Sequence, residues 1–217
     1  MFYEGNALNK NRNIFISFLK ERFSGEKLNE TVAKFDIYFS RLVEINSQVN
    51  LFSRQADIND LWTLHFMDSL LILETAADLD NKIICDIGTG GGLPGIPLAI
   101  IYPNSKIYLL DSKQKKLSAI NKICAEIGLT NCRTVHARIE DMRQDYEGFF
   151  DVLTCRALKI TPDFVTPMKR IMKRGGKMFL YKGMIANDLN AFETKDIYDV
   201  TRAEIGKRII AKIENCN

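Results

Sequence analysis

Five glycines crowd between residues 88 and 95 in Asp86-Ile-Gly-Thr-Gly-Gly-Gly-Leu-Pro-Gly95, and they constrain this chain more than any other feature. Glycine is needed where backbone turns tightly at positive φ, or where a ligand approaches main chain with no Cβ in the way. A short apolar run, Lys82-Ile-Ile-Cys-Asp86, precedes the loop, and Gly95 to Tyr102 reads as a helix after it. A strand–glycine loop–helix unit puts bare backbone at the carboxyl end of a sheet, where open α/β folds bind ligands. The loop is not the dinucleotide GxGxxG pattern, whose helix N-terminus meets a pyrophosphate. Gly88-x-Gly90-x-Gly92 is followed by Leu-Pro-Gly, and Asp86 stands two residues ahead of the first glycine. That suits a phosphate-free nucleoside whose cationic end lies near a carboxylate, the character of S-adenosylmethionine. Asp111 closes the next apolar run, Lys106-Ile-Tyr-Leu-Leu-Asp111, at the place where dinucleotide folds carry a ribose-binding acid.

The rest of the chain alternates in the same way. Helices are expected from about Asn11 to Phe23, from Leu28 to Val49, where apolar residues recur at three- and four-residue steps, and from Ile58 to Ala77. Past the glycine loop, Lys113 to Ile127 is a helix with Gly128 as its stop. Arg133–Ala137 and Phe150–Thr154 are strands, Pro162 to Met172 is a helix, Arg174-Gly-Gly is a turn, and Lys177–Tyr181 is a strand. Tyr198–Ile205 and Arg208–Ile213, separated by Gly206-Lys207, should form an antiparallel hairpin at one edge. The expected architecture is α/β: a Rossmann-like, mainly parallel seven-stranded sheet over residues 81–217, with a helical extension over residues 1–80.

Composition excludes several classes. Of the 217 residues, 46% are hydrophobic and 26% charged, which is ordinary for a globular chain and wrong for a disordered one. The longest apolar stretch, Leu93 to Tyr102, is broken by two prolines and a glycine and falls short of the about 20 residues that span a bilayer. No signal-peptide pattern opens the chain. A net charge of +3 permits nucleic-acid binding without requiring it, so any basic contact surface must be local, as at Lys113, Lys115 and Lys116 or at Lys207 and Arg208. The five cysteines contain no CxxC, and His65 and His136 do not complete a metal-ligand spacing with them, so no metal site is expected. A reducing cytoplasm and a monomer are the expected setting.

With these residues in view, the sequence resembles the small-subunit ribosomal RNA methyltransferase G family, also called glucose-inhibited division protein B. Asp86-Ile-Gly-Thr-Gly-Gly-Gly-Leu-Pro-Gly-Ile-Pro97 carries the likeness. Asn50-Leu-Phe, His65-Phe-Met-Asp-Ser-Leu70, Leu109-Leu-Asp-Ser112, Ala137-Arg-Ile-Glu140, Asp151 to Ala157 and Tyr181-Lys-Gly183 support it. Gly91 stands where the family often has proline, and Leu64 where arginine usually precedes the histidine. The resemblance implies a class I fold, S-adenosylmethionine as cofactor, and methylation of guanine N7 at position 527 of 16S ribosomal RNA, free or in the assembling 30S subunit. It implies that Gly88 and Leu93 line the cofactor, with Gly90 and Asp86 in the same loop. It further implies that Asp111 holds the ribose, Ile139 and Glu140 flank the adenine, and Arg156 sits at the mouth.

Guanine N7 offers an in-plane lone pair and no proton to lose, so its methylation needs no general base, and no catalytic residue is assigned. Arg156, Lys182 and His65 are the candidates for substrate contact. Competing readings predict other residues. An amino-methylating enzyme would carry an Asn/Asp-Pro-Pro-aromatic motif where Thr154-Cys-Arg-Ala157 stands. A cytosine-C5 enzyme would use Cys155 as nucleophile. A nicotinamide oxidoreductase would need a catalytic His or Tyr-x-x-x-Lys pattern, and a non-catalytic RNA-binding module would carry a degraded cofactor loop.

Overall fold

The computed structural model describes residues 6–183, 187–192 and 195–216, so Met1–Gly5 of the expected extension lie outside the described residues. Its centre is a seven-stranded sheet in the order β3-β2-β1-β4-β5-β7-β6. The strands are β1 Ile83–Ile87, β2 Lys106–Asp111, β3 Cys132–His136, β4 Phe150–Arg156, β5 Met172–Lys182, β6 Asp196–Asp199 and β7 Ile209–Glu214. β1 pairs in parallel with both β2 and β4. Chain order reverses there, so the crevice outside the carboxyl ends of β1, β2 and β4 is the topological switch point. β7 is antiparallel to β5 on one side and to β6 on the other, which makes the expected edge hairpin.

Covered on both faces, the central strands read as continuous apolar runs rather than alternating ones. Ile84, Ile107, Leu109 and Phe179 pack on one face, and Cys85, Ile87, Leu110, Leu153 and Leu180 on the other. Helix α6 (Pro162–Ile171) covers the second face. The first face receives α4 (Gly95–Ile101) and α5 (Gln114–Ile127); α2 (Gly25–Asn46) lies over these, and α1 (Asn6–Lys20) packs on α2 and on the Leu61–Met67 segment. Gly128, at φ 78°, ends α5 as the sequence suggests: its N–H bonds the Ala125 carbonyl and the Leu129 N–H bonds that of Cys124.

The helical extension has a core of aromatic rings. Phe15 meets Phe35 edge-on with centroids 4.7 Å apart, Tyr38 stacks on Phe66 at 4.9 Å, and Phe39 stacks on Trp62 at 4.8 Å. Each such pair adds about 0.5–1.5 kcal/mol beyond area burial. This cluster is continuous with the sheet's first face, so one apolar core serves both. At the surface the Arg202 guanidinium bridges Glu21 and Glu74 at 2.9 and 2.8 Å, and stands 4.8 Å over the Phe18 ring.

Three expected boundaries shift for physical reasons. The Ile58–Ala77 helix is shorter and changes pitch: a π-helical Leu61–Met67, a short α3 (Asp68–Leu70) and a 3₁₀ turn Leu71–Glu74. Arg174-Gly-Gly is a bulge inside β5 and not a turn. Gly175 takes φ 72°, its N–H bonds the Asn215 carbonyl, and the register with β4 slips between Phe150 and Val152. The strand expected over Tyr198–Ile205 stops at Asp199, whose carboxylate accepts the Thr201 N–H at 3.0 Å and turns the chain away.

Candidate active site

The glycine loop is built from within by Asp86. This carboxylate is 0% exposed. One oxygen accepts the Thr89 hydroxyl at 2.6 Å and the Gly95 N–H at 2.8 Å, and the other accepts the Thr154 hydroxyl at 3.2 Å. Burial pushes its acid up to about 6, against the pull of those three donors. Asp86 therefore faces the loop's own groups and not the open cleft. Leu93 is also buried, its N–H on the Thr89 carbonyl, behind the cleft wall.

Gly95 has to be glycine: a Cβ there would stand 2.2 Å from Leu109 and 2.9 Å from the Asp86 carboxylate. Gly88 and Gly90 take φ 70° and 56° with nothing closer than 3.8 Å to a would-be Cβ, so their requirement is conformational, and they leave bare backbone facing outward. A Cβ on Gly91 would lie 2.9 Å from the Leu51 carbonyl oxygen. The missing side chain lets the segment before the π-helical turn press onto the loop.

Asp111 reaches the loop from β2. One oxygen accepts the Gly90 N–H at 3.0 Å and the other the Lys113 N–H at 2.8 Å. A carboxylate has about four lone-pair sites, so two remain for a ligand. Gly88, Gly90, Asp111, Ile139, Glu140 and Leu158 line one cleft of about 380 Å³. Five of the eight sequence-assigned cofactor residues, Gly88, Gly90, Asp111, Ile139 and Glu140, thus come together, whereas Asp86 and Leu93 stand behind them and Arg156 elsewhere.

Arg156 lines a second crevice, of about 390 Å³, between the helical extension and the ends of β4 and β5. Its guanidinium donates to the Asp68 carboxylate at 2.9 Å and the Leu64 carbonyl at 3.3 Å, and faces His65 Nδ1 at 3.3 Å. Asp151, a possible partner by sequence proximity, takes Lys173 and the Ile83 N–H instead. Arg208 grips the other Asp68 oxygen at 2.9 Å. The Asp68 side chain, 7% exposed, is therefore shared by two guanidiniums. Burial, and then the neighbouring Arg156 charge, pull His65 down to about 4, so its ring is neutral near pH 7. With Nδ1 turned to a guanidinium donor, the proton belongs on Nε2.

Lys182 lines the second crevice beside Arg156, but its ammonium is engaged by the protein. Its ammonium donates to the Leu158 carbonyl at 2.8 Å and pairs with Asp188. Cys155 is buried in β4 and its thiol is pushed up to about 12 by desolvation, which removes it as a nucleophile. The sequence reading missed Asp68 as the hub of two arginines, placed Arg208 only in a basic surface, and missed Asp188 and Tyr38 altogether. Asp68 had a signal in its three-residue spacing from His65, but the others meet their partners only across the fold.

The cleft suits the nucleoside end of S-adenosylmethionine: positive-φ glycine backbone, a carboxylate with free lone pairs, and the apolar Ile139 and Leu158. Comparison with known proteins agrees with the architecture. Solved structures of similar fold include a SAM dependent methyltransferase from Aquifex aeolicus, with TM-score 0.57 and 15% identity over 81% of this chain and 98% of that one. TrmN from Thermus thermophilus has TM-score 0.55 and 16% identity over 70% of this chain and 53% of that one. In sequence, the chain is 38% identical over 188 residues to the ribosomal RNA small subunit methyltransferase G of Desulfitobacterium hafniense, covering 86% of this chain and 77% of the relative. It is 36% identical over 173 residues to that of Macrococcus caseolyticus, covering 78% and 71%. The profile of the GidB family, rRNA small subunit methyltransferase G, matches residues 31–205, and the chain belongs to that family.

Proposed function

We propose that this chain transfers a methyl group from S-adenosylmethionine to N7 of a guanine, position 527, in 16S ribosomal RNA. The observation that carries the reading is the pairing of two adjoining clefts. One is walled by glycine backbone and Asp111, the other by Arg156, His65 and Asp68, and the Ala157–Leu158 turn divides them. Asp111 would accept the ribose hydroxyls, Gly88 and Gly90 would give backbone contact, and Ile139 and Glu140 would flank the adenine. Asp86 acts through the loop it braces. When bound, the cofactor supplies an electrophilic methyl group.

The second cleft suits a base that gains positive charge. N7 needs no proton removed, so the work left to the protein is alignment, which supplies about 7–11 kcal/mol in favourable cases. A free cation beside N7 would oppose the developing charge. Here Arg156 is already paired with Asp68, and His65 is neutral. Bases read outside a duplex are splayed into such pockets.

The test is incubation of the chain with methyl-labelled S-adenosylmethionine and either naked 16S RNA or 30S particles. Borohydride–aniline cleavage then maps N7-methylguanine. A single labelled guanine is expected. Label on another base, on protein or on a small metabolite would overturn the assignment.

A further inference from the structure

Ala157 stands where the two clefts meet, and its φ is 58°. A side chain with a Cβ is strained in that left-handed region and stays there only where its surroundings over-determine it. The surroundings here are specific. The Lys182 ammonium holds the Leu158 carbonyl at 2.8 Å, and Asp188 Oδ2 holds the Ile160 N–H at 2.9 Å. Lys182 and Asp188 are ion-paired to each other, with side chains only 11% and 12% exposed. The strand end that carries Arg156 is thus followed by a turn tied down at two points just past its strained residue.

Resting on the reading above, we propose that Lys182 and Asp188 form a clasp that keeps the 157–161 turn in its working conformation, and that Asp188 is a positioning residue for methyl transfer. The turn touches both reactants' clefts. Leu158 faces Gly88 across the first, its Cδ2 4.0 Å from the position of a Gly88 Cβ, and Ala157 borders the second beside Arg156. Released, Ala157 would leave the left-handed region, moving Leu158 off the glycine loop and turning Arg156 away from Asp68. Neither clasp residue need touch a ligand.

The closing experiment uses the full chain with D188N, K182Q, A157G and the double variants D188N/A157G and K182Q/A157G. Cofactor affinity is read by calorimetry, kcat and KM on 30S particles, and melting in parallel. D188N is expected to lower kcat by about 10–100-fold, the cost of an ångström-scale misplacement. Glycine at 157 carries no left-handed penalty, so A157G should return about fivefold to tenfold of the loss. A purely structural ion pair would give no such recovery. If D188N does not fold, K182Q, which keeps Asp188 on the Ile160 N–H, gives the same reading through its own A157G double. Unchanged kcat and cofactor affinity in D188N, or a loss that A157G does not restore, overturns the clasp. A wild-type chain that methylates no guanine would instead refute the assigned reaction.

Discussion

The Tyr38 hydroxyl, buried in the middle of α2, donates to the Gly91 carbonyl at 2.8 Å. Burial raises its pKa well above the usual value, so the donor keeps its proton at any working pH. A residue of the helical extension thereby fixes the tip of the glycine loop. Tyr38→Phe keeps the ring stacked on Phe66 and removes only this bond. It should cost about 1–3 kcal/mol in denaturant titration, because the Gly91 carbonyl is left buried without its partner. S-adenosylmethionine affinity should drop in the same variant, and unchanged affinity would detach the extension from the cofactor loop.

Two glycines of the loop should respond differently to alanine. At Gly95 the new methyl would overlap Leu109 and crowd the Asp86 carboxylate, so Gly95→Ala should destabilise by about 1–3 kcal/mol or more through overpacking and lose soluble protein. At Gly88 no atom stands closer than 4.0 Å, and only the backbone objects, at about 1–2 kcal/mol. Thermal melts of the two variants side by side decide the order. A Gly88→Ala variant less stable than Gly95→Ala would contradict the packing described.

Asp86→Asn separates bracing from ligand contact. The amide oxygen can still accept from Thr89 and Gly95, and the amide nitrogen can donate to the Thr154 hydroxyl once that group rotates. Cofactor affinity should stay within a few-fold of wild type by calorimetry. A loss of a hundredfold would put the carboxylate back beside the cofactor's cationic end. The acid is raised to about 6 from 3.8, so between those values the folded chain holds a proton that the unfolded chain has released. Its contribution to stability therefore falls as pH rises through that window, and the asparagine variant should gain on wild type there.

His65 works in the opposite sense. Its folded pKa is about 4 against 6.5 unfolded, so the unfolded chain takes up the proton first as pH falls. Stability is lost on going from about pH 6.5 towards 4, and His65→Gln should gain on wild type over that range. Urea titrations at the two ends measure the difference. If the glutamine variant instead loses ground as pH falls, His65 is protonated in the native chain and cannot be the neutral wall of the second cleft.

How much of this was legible in the sequence depends on the range of the interactions. The sheet, the α5 stop at Gly128 and the first cleft follow from local patterns, apolar runs ending at glycine and acid, and the structure assembles them with small changes of boundary. Asp86 shows where such reading runs out. Its spacing from the glycines is visible, but its carboxylate turns inward between the loop's own donors and Thr154, on a strand paired only in the folded sheet. Lys182 looked free for substrate because Asp188, its partner, approaches through a loop with no periodic signal. Arg208 and Asp68 are brought together by the closing of β7 against β5 under the helical extension, and no motif spans them.

The single core beneath α1, α2, α4 and α5 makes the boundary near residue 80 a change of texture and not a seam. A fragment starting at β1 would turn the apolar flanks of α4 and α5 that meet α2 towards water. Two halves produced from separate messages should therefore recover solubility only when made in the same cell. The cap cannot be traded between distant relatives unless the surface it sits on changes with it.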